Sequence, residues 1–408
     1  MERRGLVRKP ELLSPVGDWE RLEAAVAYGA DAVYLAGKSF GMRAAPANFD
    51  NNELARAVAY CHERGVKVYV TCNTLPRNDE LAPLRDFMAA CGDMGVDAFI
   101  ISDLGVLAMA KEVAPQVERH VSTQTGIVNW AAARACYDLG ARRVVLAREV
   151  PLNEIRGIRD HCPEDLELEA FVHGAMCVSF SGRCLLSNYM AGRDANRGQC
   201  AQPCRWEYTL IEKQRPDQAF TLVQEEKGAY VFNSNDLRMI QHIPAMAEAG
   251  VTSLKIEGRA KSNYYVACVT QAYRRAIDFF ADHPGEPLPP EILAETEKIS
   301  HRPYSQGFYF GGEPGQTPDR SHYARNYELA AICEGRQGEY LLLRQRNRFF
   351  RGQTVDILQP GKAPFTAELT ELYDQDWAPL EAAPHAEMPV YWKTAADVAP
   401  GAFLRIKK

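Results

Sequence analysis

Four of the eleven cysteines of this 408-residue chain lie within twenty-eight residues, at Cys177, Cys184, Cys200 and Cys204, with the spacing C-x6-C-x15-C-x3-C. Sets of thiolates bind soft metals, so the pattern predicts zinc or an iron–sulfur cluster rather than calcium or magnesium. Structural zinc is usually bound by close pairs of cysteines, and only Cys200 and Cys204 form such a pair. The residues alone therefore favour a 4Fe-4S cluster and leave zinc open.

The other seven cysteines lie in apolar contexts and are predicted to be buried thiols: Cys61, Cys72, Cys91, Cys136, Cys162, Cys268 and Cys333. The chain opens with MERRGLVRKPELL, and no apolar run approaches the length of a signal peptide core or a membrane span. We therefore expect a cytoplasmic protein with no membrane partner, in a compartment where disulfides rarely persist. The net charge of −6 predicts that any contact with nucleic acid comes from local basic patches.

An internal repeat indicates the elements that position these cysteines. Amphipathic segments end in a glycine that is followed by a short β-rich run, at Gly29, Gly65, Gly95, Gly140 and Gly250. Three further strands are read in ELLSPV, in VERHVSTQ and in LELEAFVHG. Eight strands, each followed by a helix, predict a TIM-like (β/α)8 barrel. An open doubly wound sheet is the alternative, but no G-x-G-x-x-G follows the first strand.

This fold places the cysteine segment directly after strand seven, at the end of the barrel where active sites lie. Polar residues follow the other strands at the same end, and together they predict a polar cavity that faces the thiols: Asn73, Asp103, Gln124, Arg148, Glu149, His173, Glu257 and Arg259. Taken singly, each of them also suits a structural hydrogen bond.

The predicted domain plan is a barrel over residues 1–310 with a cysteine-bearing insertion at about 175–232, a Gly/Pro-rich linker at 311–320, and a small β-barrel at 321–408. The last domain contains RQRNRFFR, in which arginines alternate with Phe349 and Phe350. Such a strip can contact phosphates and stack on exposed bases, so we predict an RNA-contacting domain. The alternative is a charged hairpin whose aromatic rings lie in the core. Residues after Gly352 are acidic, which leaves one face for RNA.

The segments FVHGAMC, SGRCLLS and NRGQCAQPCRWEY resemble the signature of peptidase family U32, and ELLSPVGDWERLEAAVAYGADAVYLAG resembles its opening. NSNDLRMI and SLKIEGRAKSNYYVACVTQAYRRAID match later segments, in a branch of the family that hydroxylates tRNA. The resemblance extends from about Glu11 to about Phe280 and continues more weakly through HRPYSQGFYFG.

The resemblance implies an oxygen-independent hydroxylase whose relatives act on the wobble uridine of tRNA, a cytidine of ribosomal RNA or a ubiquinone precursor. It also implies that Cys177, Cys184, Cys200 and Cys204 hold a 4Fe-4S cluster, and that prephenate is a candidate source of the hydroxyl group. A base in a stack cannot reach a barrel mouth, so the target must be single stranded or flipped. An anticodon loop satisfies this requirement.

We assign provisional roles from position. His173 and Glu257 are the candidates for proton transfer, and Arg183 is the candidate for pairing with carboxylates of an anionic cosubstrate. Residues predicted to bind the cofactor or cosubstrate are Arg259, Gln124, Asn73 and Arg148. Arg193 and Arg197 suit either the cosubstrate or surface ion pairs.

The sequence therefore predicts a tRNA hydroxylase that forms 5-hydroxyuridine, with tRNA, the iron–sulfur assembly machinery and an electron donor as partners. Three alternatives stay open. The substrate could be ribosomal RNA or a quinone precursor. The protein could be a collagenase-like peptidase with Cys177 activated by His173, although this leaves three cysteines without a role and no H-E-x-x-H occurs. It could also be a non-catalytic, zinc-binding RNA-binding protein.

Overall fold

The computed structural model describes residues 8–41, 47–177, 184–208, 229–230, 234–312, 315 and 323–408. Its first seven strands are short and mostly apolar: β1 (Glu11–Pro15), β2 (Ala32–Leu35), β3 (Lys67–Cys72), β4 (Ala98–Ile101), β5 (Glu118–Val121), β6 (Arg143–Val145) and β7 (Glu167–Gly174). The helices between them are α1 (Trp19–Ala27), α2 (Asn51–His62), α3 (Leu81–Asp93), α4 (Leu104–Val113), α5 (Trp130–Asp138) and α6 (Leu152–His161).

The segment after β7 leads to the eighth barrel strand. It contains α7 (Leu186–Ala191), β8 (Glu207–Tyr208), β9 (Ala229–Tyr230), β10 (Asp236–Arg238) and α8 (Ile243–Glu248). The chain continues with β11 (Ser253–Ile256), α9 (Asn263–Asp282), α10 (Pro290–Glu295) and β12 (Tyr304–Ser305). Because β11 pairs in parallel with both β1 and β7, the eight parallel strands close into a barrel. The predicted fold class is confirmed.

Local sequence explains where many of these elements begin and end. Asp50 and Glu53 form a reciprocal capping box at the start of α2, and the Asp103 carboxylate accepts the Val106 N–H at 3.0 Å at the start of α4. The backbone is left-handed at Gly29 and Gly250, with φ of +98° and +101°, where an L side chain would be strained. The predicted joints between helices and strands are present at these glycines.

The C-terminal domain is antiparallel, as predicted, and its main sheet curves into half a barrel. Its strands are β13 (Tyr327–Gln337), β14 (Tyr340–Gln345), β15 (Phe349–Phe350), β16 (Thr354–Leu358), β17 (Phe365–Glu368), β18 (Glu371–Tyr373), β19 (Ala382–Ala383), β20 (Pro389–Lys393) and β21 (Phe403–Lys407). Seven of them pair in the order β17-β16-β21-β13-β14-β20-β18, and β15 with β19 forms a separate two-stranded sheet.

The two domains share a buried interface. Arg405 on β21 is fully buried and donates to the Glu295 carboxylate at 2.6 Å and to the Asp356 carboxylate at 3.3 Å. The Tyr28 hydroxyl lies 3.0 Å from the carbonyl oxygens of Leu358 and Gly401. Buried ion pairs of this kind require both partners, since a single charge left behind is costly. The interface therefore fixes the position of the C-terminal domain on the barrel.

Replacing Tyr28 with phenylalanine is expected to lower the free energy of unfolding by about 1–2 kcal/mol, because two buried carbonyl groups lose a shared partner. Urea unfolding measures this change. Tyr60→Phe is the matched control, since the Tyr60 ring packs on Trp19 at the surface of the barrel. Equal stability of the two variants would contradict the role of the Tyr28 hydroxyl in docking the domains.

No helix in the described ranges is long and apolar enough to cross a membrane.

Candidate active site at the carboxyl end of the barrel

The polar residues predicted at the barrel mouth do follow the carboxyl ends of their strands. Asn73 follows β3, Gln124 follows β5, Arg148 follows β6, and Glu257 and Arg259 follow β11. Because all eight barrel strands are parallel, these residues share one rim of the barrel. Their individual environments differ, and this decides which of them can face a ligand.

Arg148 joins three strands at the mouth. Its guanidinium donates to the Glu257 carboxylate at 3.2 Å and to the Ala175 carbonyl at 3.3 Å, and it lies 4.0 Å from the centre of the Phe171 ring. The Arg148 and Glu257 side chains are 12% and 18% exposed, so the pair is largely shielded but still reaches solvent. Arg148 thereby connects the predicted acid–base residue Glu257 to the backbone just before Cys177.

Arg259 is more enclosed than a ligand-binding arginine at an open mouth. It is 3% exposed and donates to the Val16 carbonyl at 3.3 Å and to the Asn48 side-chain oxygen at 2.5 Å. A Cβ on Gly41 would lie 3.1 Å from Thr71 Oγ1 and 3.7 Å from Arg259 Nη1, so the loop after β2 passes close over the barrel here. Arg259 therefore holds that loop in place.

A chain of hydrogen bonds links the mouth ends of β3, β4 and β5. Asn73 donates to Ser122 Oγ at 3.5 Å, and the Ser102 hydroxyl donates to the Asn73 carbonyl at 3.1 Å. Gln124 is half-buried in a 3-10 turn, and its side chain has no hydrogen-bond partner among the described residues. The hydroxyl of Thr71, buried just below the rim, is likewise without a partner in this part of the chain. Gln124 is thus available to a ligand at the rim, whereas the Thr71 hydroxyl is enclosed.

His173 lies at the end of β7 as predicted, but its ring does not face the mouth. It is 1% exposed and is enclosed by the rings of Tyr265, Tyr273 and Tyr304 at centroid distances of 6.1, 5.5 and 5.4 Å. A bulge between β7 and β11 aligns Lys255 with Phe171 and the next residue, Ile256, with His173. The alternation of side-chain direction along β7 breaks at this bulge, so the His173 ring points toward α9.

Burial, together with the electrostatic influence of Arg238, His301 and Lys261, lowers the pKa of His173 well below its ordinary value. The imidazole is therefore neutral at pH 7. Its Nδ1 lies 3.4 Å from the Tyr273 hydroxyl. The backbones of the two predicted proton-transfer residues, His173 and Glu257, are hydrogen bonded, but their side chains point to different environments, and proton transfer by them stays a prediction.

The cysteine segment follows β7 directly, and Cys177 and Cys200 are exposed while Cys184 and Cys204 are half-buried. Asn196 donates to the Cys184 carbonyl at 3.2 Å, and the Ala201 N–H donates to Ser187 Oγ at 3.0 Å. These bonds join the chain around Cys184 to the chain around Cys200. Arg197 donates to Glu80 at 2.5 Å, and Glu80 lies in the turn between β3 and α3. The segment is therefore anchored on the same rim as the mouth.

The described side chains form no site for a single metal ion. The described residues include all four cysteines, and among these residues no group of three or more His, Cys, Asp or Glu side chains is placed to hold a metal ion. The thiols fit a 4Fe-4S cluster in number and in chemistry, and cluster binding stays a prediction. The six residues between Cys177 and Cys184, which include the predicted cosubstrate ligand Arg183, lie outside the described ranges. Arg193 is exposed.

Sequence reasoning missed a charged network inside the barrel. Arg143 on β6 contacts Glu11 at 2.6 Å and Glu169 at 3.0 Å, and Lys255 on β11 contacts the other oxygen of Glu169 at 2.7 Å. Each of these residues is charged and lies within a strand whose other residues are mostly apolar, which is the signal that could have revealed them. His120 is fully buried beside them; burial lowers its pKa well below the ordinary value and keeps it neutral.

The network predicts a loss of stability in strong acid. Burial opposes the ionisation of Glu11, but the Arg143 guanidinium and hydrogen bonds from Tyr69 and Ser253 outweigh it and hold the pKa of Glu11 at about 2, against an ordinary 4.5. The carboxylate thus stabilises the fold fully above pH 4.5, by on the order of 3 kcal/mol, and this contribution is lost as pH falls through 2. Urea unfolding from pH 7 to pH 2 measures it. A Glu11→Gln variant with the same pH profile would contradict the assignment.

The arginine strip of the C-terminal domain is largely neutralised. Arg344 and Arg346 pair with Glu387 at 3.0 and 2.9 Å, and Arg351 pairs with Glu381 at 3.0 Å. Phe349 is fully buried in the core of this domain, whereas Phe350 is 44% exposed. The strip does not present the alternating row of free cations and exposed rings that the sequence suggested. RNA contact by this domain stays a prediction, and Arg348 and Phe350 are the exposed residues of the strip on which it depends.

The chain matches two family models, Peptidase family U32 over residues 17–318 and Peptidase family U32 C-terminal domain over residues 325–405. The tRNA hydroxylation protein P1 of Bacillus subtilis is 38% identical over 409 residues, which cover 99% of this chain and 96% of that protein. The 23S rRNA 5-hydroxycytidine C2501 synthase of Escherichia coli is 40% identical over 72% of this chain and 44% of that enzyme. A collagenase of Porphyromonas gingivalis is 35% identical over 76% of each chain.

Proposed function

Because this chain belongs to peptidase family U32, and its similarity to a tRNA hydroxylation protein extends over both domains, we propose that it is an enzyme that hydroxylates RNA. The observation that carries the proposal is this similarity over 99% of the chain. The similarity to an rRNA hydroxycytidine synthase supports the same reaction class. In its specific form, the proposal is that the enzyme converts the wobble uridine of tRNA to 5-hydroxyuridine without molecular oxygen.

We propose that the hydroxylase uses a 4Fe-4S cluster held by Cys177, Cys184, Cys200 and Cys204. Four thiolates are the ligand set that such clusters use. A bound cluster would supply one-electron chemistry or a binding site for an oxygen donor. Binding of a cluster would require each of the four sulfurs to reach one of its irons. Iron–sulfur assembly machinery and an electron donor are the partners that this cofactor implies.

The mouth suits an anionic cosubstrate such as prephenate, with its two carboxylates. Arg148 is held in a fixed orientation by Glu257 and by the Ala175 carbonyl, and it stays partly exposed. Guanidinium groups bind carboxylates through paired hydrogen bonds. Gln124 offers a further hydrogen-bonding group. In this proposal Arg148 and Arg183 bind the cosubstrate, Asn73 and Arg259 hold the rim in shape, and Glu257 exchanges a proton.

The expected effect of Arg148→Gln is a loss of hydroxylation of about a hundredfold, because one positioned charged donor at a reacting centre is typically responsible for that much rate. The 5-hydroxyuridine content of tRNA in a complemented deletion strain measures it. Arg142→Gln is the matched control, since Arg142 pairs with Asp165 at 2.7 Å before the start of β6, at the opposite end of the barrel. Similar activity of the two variants would remove Arg148 from the proposed site.

Peptidase activity is the second candidate, since a collagenase is among the relatives. The required Cys177–His173 pair does not support it. His173 is enclosed by tyrosine rings, and within the described residues no hydrogen bond joins it to Cys177. A thiol nucleophile without a base at hydrogen-bond distance is poorly activated.

A deletion strain tests the proposed function. Mass spectrometry of its tRNA nucleosides is expected to show a loss of 5-hydroxyuridine derivatives that the intact gene restores, in a background without a second hydroxylase. Unchanged nucleosides in that background would refute the tRNA substrate. Cleavage of gelatin by the purified protein that Cys177→Ser abolishes would favour the peptidase instead.

A further inference from the structure

A cleft of about 750 Å³ lies on the carboxyl rim of the barrel, between the loop after β2 and the first turns of α3. Its apolar side consists of the half-buried rings of Phe40 and Phe87, with the buried Phe49 behind them. Its polar side consists of one cation, two amides and two carboxylates: Lys38, Asn51, Asn52, Asp50 and Asp86. None of the mouth residues described above lines this cleft. It is therefore a separate concavity on the rim that carries the candidate active site.

The rings of the cleft are held in place by specific contacts. The Phe87 ring packs directly on the backbone of Gly37. A Cβ atom at position 37 would lie only 2.7 Å from this ring. The Phe40 and Phe87 rings are 5.9 Å apart. Phe40 has a left-handed backbone, with φ of +67°, and its carbonyl accepts the Thr74 hydroxyl at 3.2 Å. A left-handed phenylalanine is unfavourable, and such residues persist where the surrounding structure holds them and are common at binding sites.

Neighbouring residues in the chain connect the cleft to the candidate active site on both sides. Asn48 binds Arg259 at the mouth, and the next residue, Phe49, lines the cleft. On the other side, Glu80 binds Arg197 of the cysteine segment and lies just before α3, which contributes Phe87. Each wall of the cleft therefore belongs to a loop or helix that also positions part of the site.

We propose that this cleft binds one nucleobase of the RNA substrate, next to the nucleotide that is modified. The inference rests on the proposed RNA hydroxylase function. The volume of the cleft is in the range of small-molecule sites, which is roughly 300–1,000 Å³. Aromatic faces stack on bases of any sequence, and asparagine side chains offer a donor and an acceptor to a base edge.

The charges of the cleft select a base rather than a phosphate. Its cation, Lys38, already pairs with Asp50 at 3.1 Å and with Glu53 at 3.8 Å, and Asp86 adds another carboxylate to the lining. A phosphate would meet this acidic group, whereas a neutral base would not be repelled. Extruding a nucleotide for modification also leaves its neighbours without a stacking partner, and the half-buried rings of Phe40 and Phe87 would replace it.

The experiment combines a ring replacement with abasic sugars. Binding of the purified protein is measured for tRNA in which each nucleotide of the anticodon loop in turn lacks its base. We expect one abasic position beside the target to weaken binding by the wild-type protein about tenfold. Phe87→Leu keeps an apolar side chain but removes the stacking face, so it should bind intact tRNA about tenfold more weakly than the wild type does. Removing the base at that position from the tRNA should not weaken binding by Phe87→Leu any further.

Two variants guard the interpretation. Phe279→Leu is the matched control, because the Phe279 ring stacks on His283 at the end of α9, away from this rim. Asn52→Asp places a carboxylate in the cleft on an exposed residue of the first turn of α2, where an acidic residue favours the helix, so it should fold normally. We expect it to weaken binding of intact tRNA but not of the tRNA that lacks the base in question.

Equal losses at every abasic position in the wild type and in Phe87→Leu would overturn the proposal. The same follows if Asn52→Asp binds intact tRNA as tightly as the wild type does. If the wild-type protein binds tRNA and forms 5-hydroxyuridine but one of these two contradicting results is found, only the cleft proposal fails. If the wild type neither binds tRNA nor affects its nucleosides, the proposed function fails and the cleft proposal with it.

Discussion

Replacing Cys200 with serine is expected to reduce the 5-hydroxyuridine content of tRNA to that of a deletion strain and to deplete the purified protein of iron and labile sulfide. Cys200 belongs to the set of four thiols proposed to bind the cluster, and a hydroxyl group is a poor ligand for iron in such clusters. The side chain is exposed, so its replacement should leave the fold intact. Iron and sulfide analysis of protein purified without air, together with nucleoside analysis, measures both effects.

Cys162→Ser is the matched control. Cys162 is half-buried at the end of α6, and its thiol lies 3.8 Å from the Trp130 carbonyl, outside the proposed ligand set. This variant should keep both its iron and its activity. Iron retained in Cys200→Ser at the level of Cys162→Ser would exclude Cys200 as a ligand. If the wild-type protein contains one zinc ion and no labile sulfide, the hypothesis of an iron–sulfur enzyme is wrong, and the hypothesis of a zinc-binding protein takes its place.

The second large effect concerns the charged interior of the barrel. Lys255→Met is expected to lower the free energy of unfolding by about 3–5 kcal/mol, because Glu169 would be left as a buried carboxylate with one partner fewer. The Lys255 and Glu169 side chains are 5% and 0% exposed, and the amino group lies 2.7 Å from the carboxylate. Since whole domains are stable by about 5–15 kcal/mol, this change removes a large share of the total. Urea unfolding measures it.

An exposed pair provides the comparison. Lys393 lies 3.7 Å from Glu371 on the C-terminal sheet, with side chains 39% and 47% exposed, so Lys393→Met should change stability by less than about 1 kcal/mol. The double variant Lys255→Met with Glu169→Gln should recover part of the loss, because it removes the buried carboxylate that has lost one of its two cationic partners. If Lys255→Met is no less stable than Lys393→Met, the barrel interior does not depend on this ion pair.

The position of the site could be predicted, but its internal geometry could not. Arg148 and Glu257 were selected because each follows a strand, and closure of the barrel brings them to 3.2 Å. The same argument selected His173, and there it was misleading. A single bulge in the pairing of β7 with β11 reverses the direction of that side chain, and one sequence does not reveal a bulge.

The arginine strip shows a related limit. Composition alone counts Arg344 and Arg346 as free cations, because their partner Glu387 lies about forty residues away in the chain. Antiparallel pairing of β14 with β20, at which Arg344 opposes Pro389, brings the Glu387 carboxylate close to both guanidinium groups. A basic sequence motif becomes a basic surface only if folding leaves its charges unpaired.

The amino-acid sequence by itself determined the eight strand–helix units, the antiparallel C-terminal domain and the placement of four cysteines after strand seven. These features arise from local causes, namely glycines that allow left-handed joints, side chains that cap helices, and the alternation of apolar residues. The tertiary structure alone decided which side chains meet, including the Arg143–Glu169–Lys255 network, the enclosure of His173 and the aromatic cleft. Those contacts join residues distant in the chain, and they depend on strand register and packing, which no local pattern specifies.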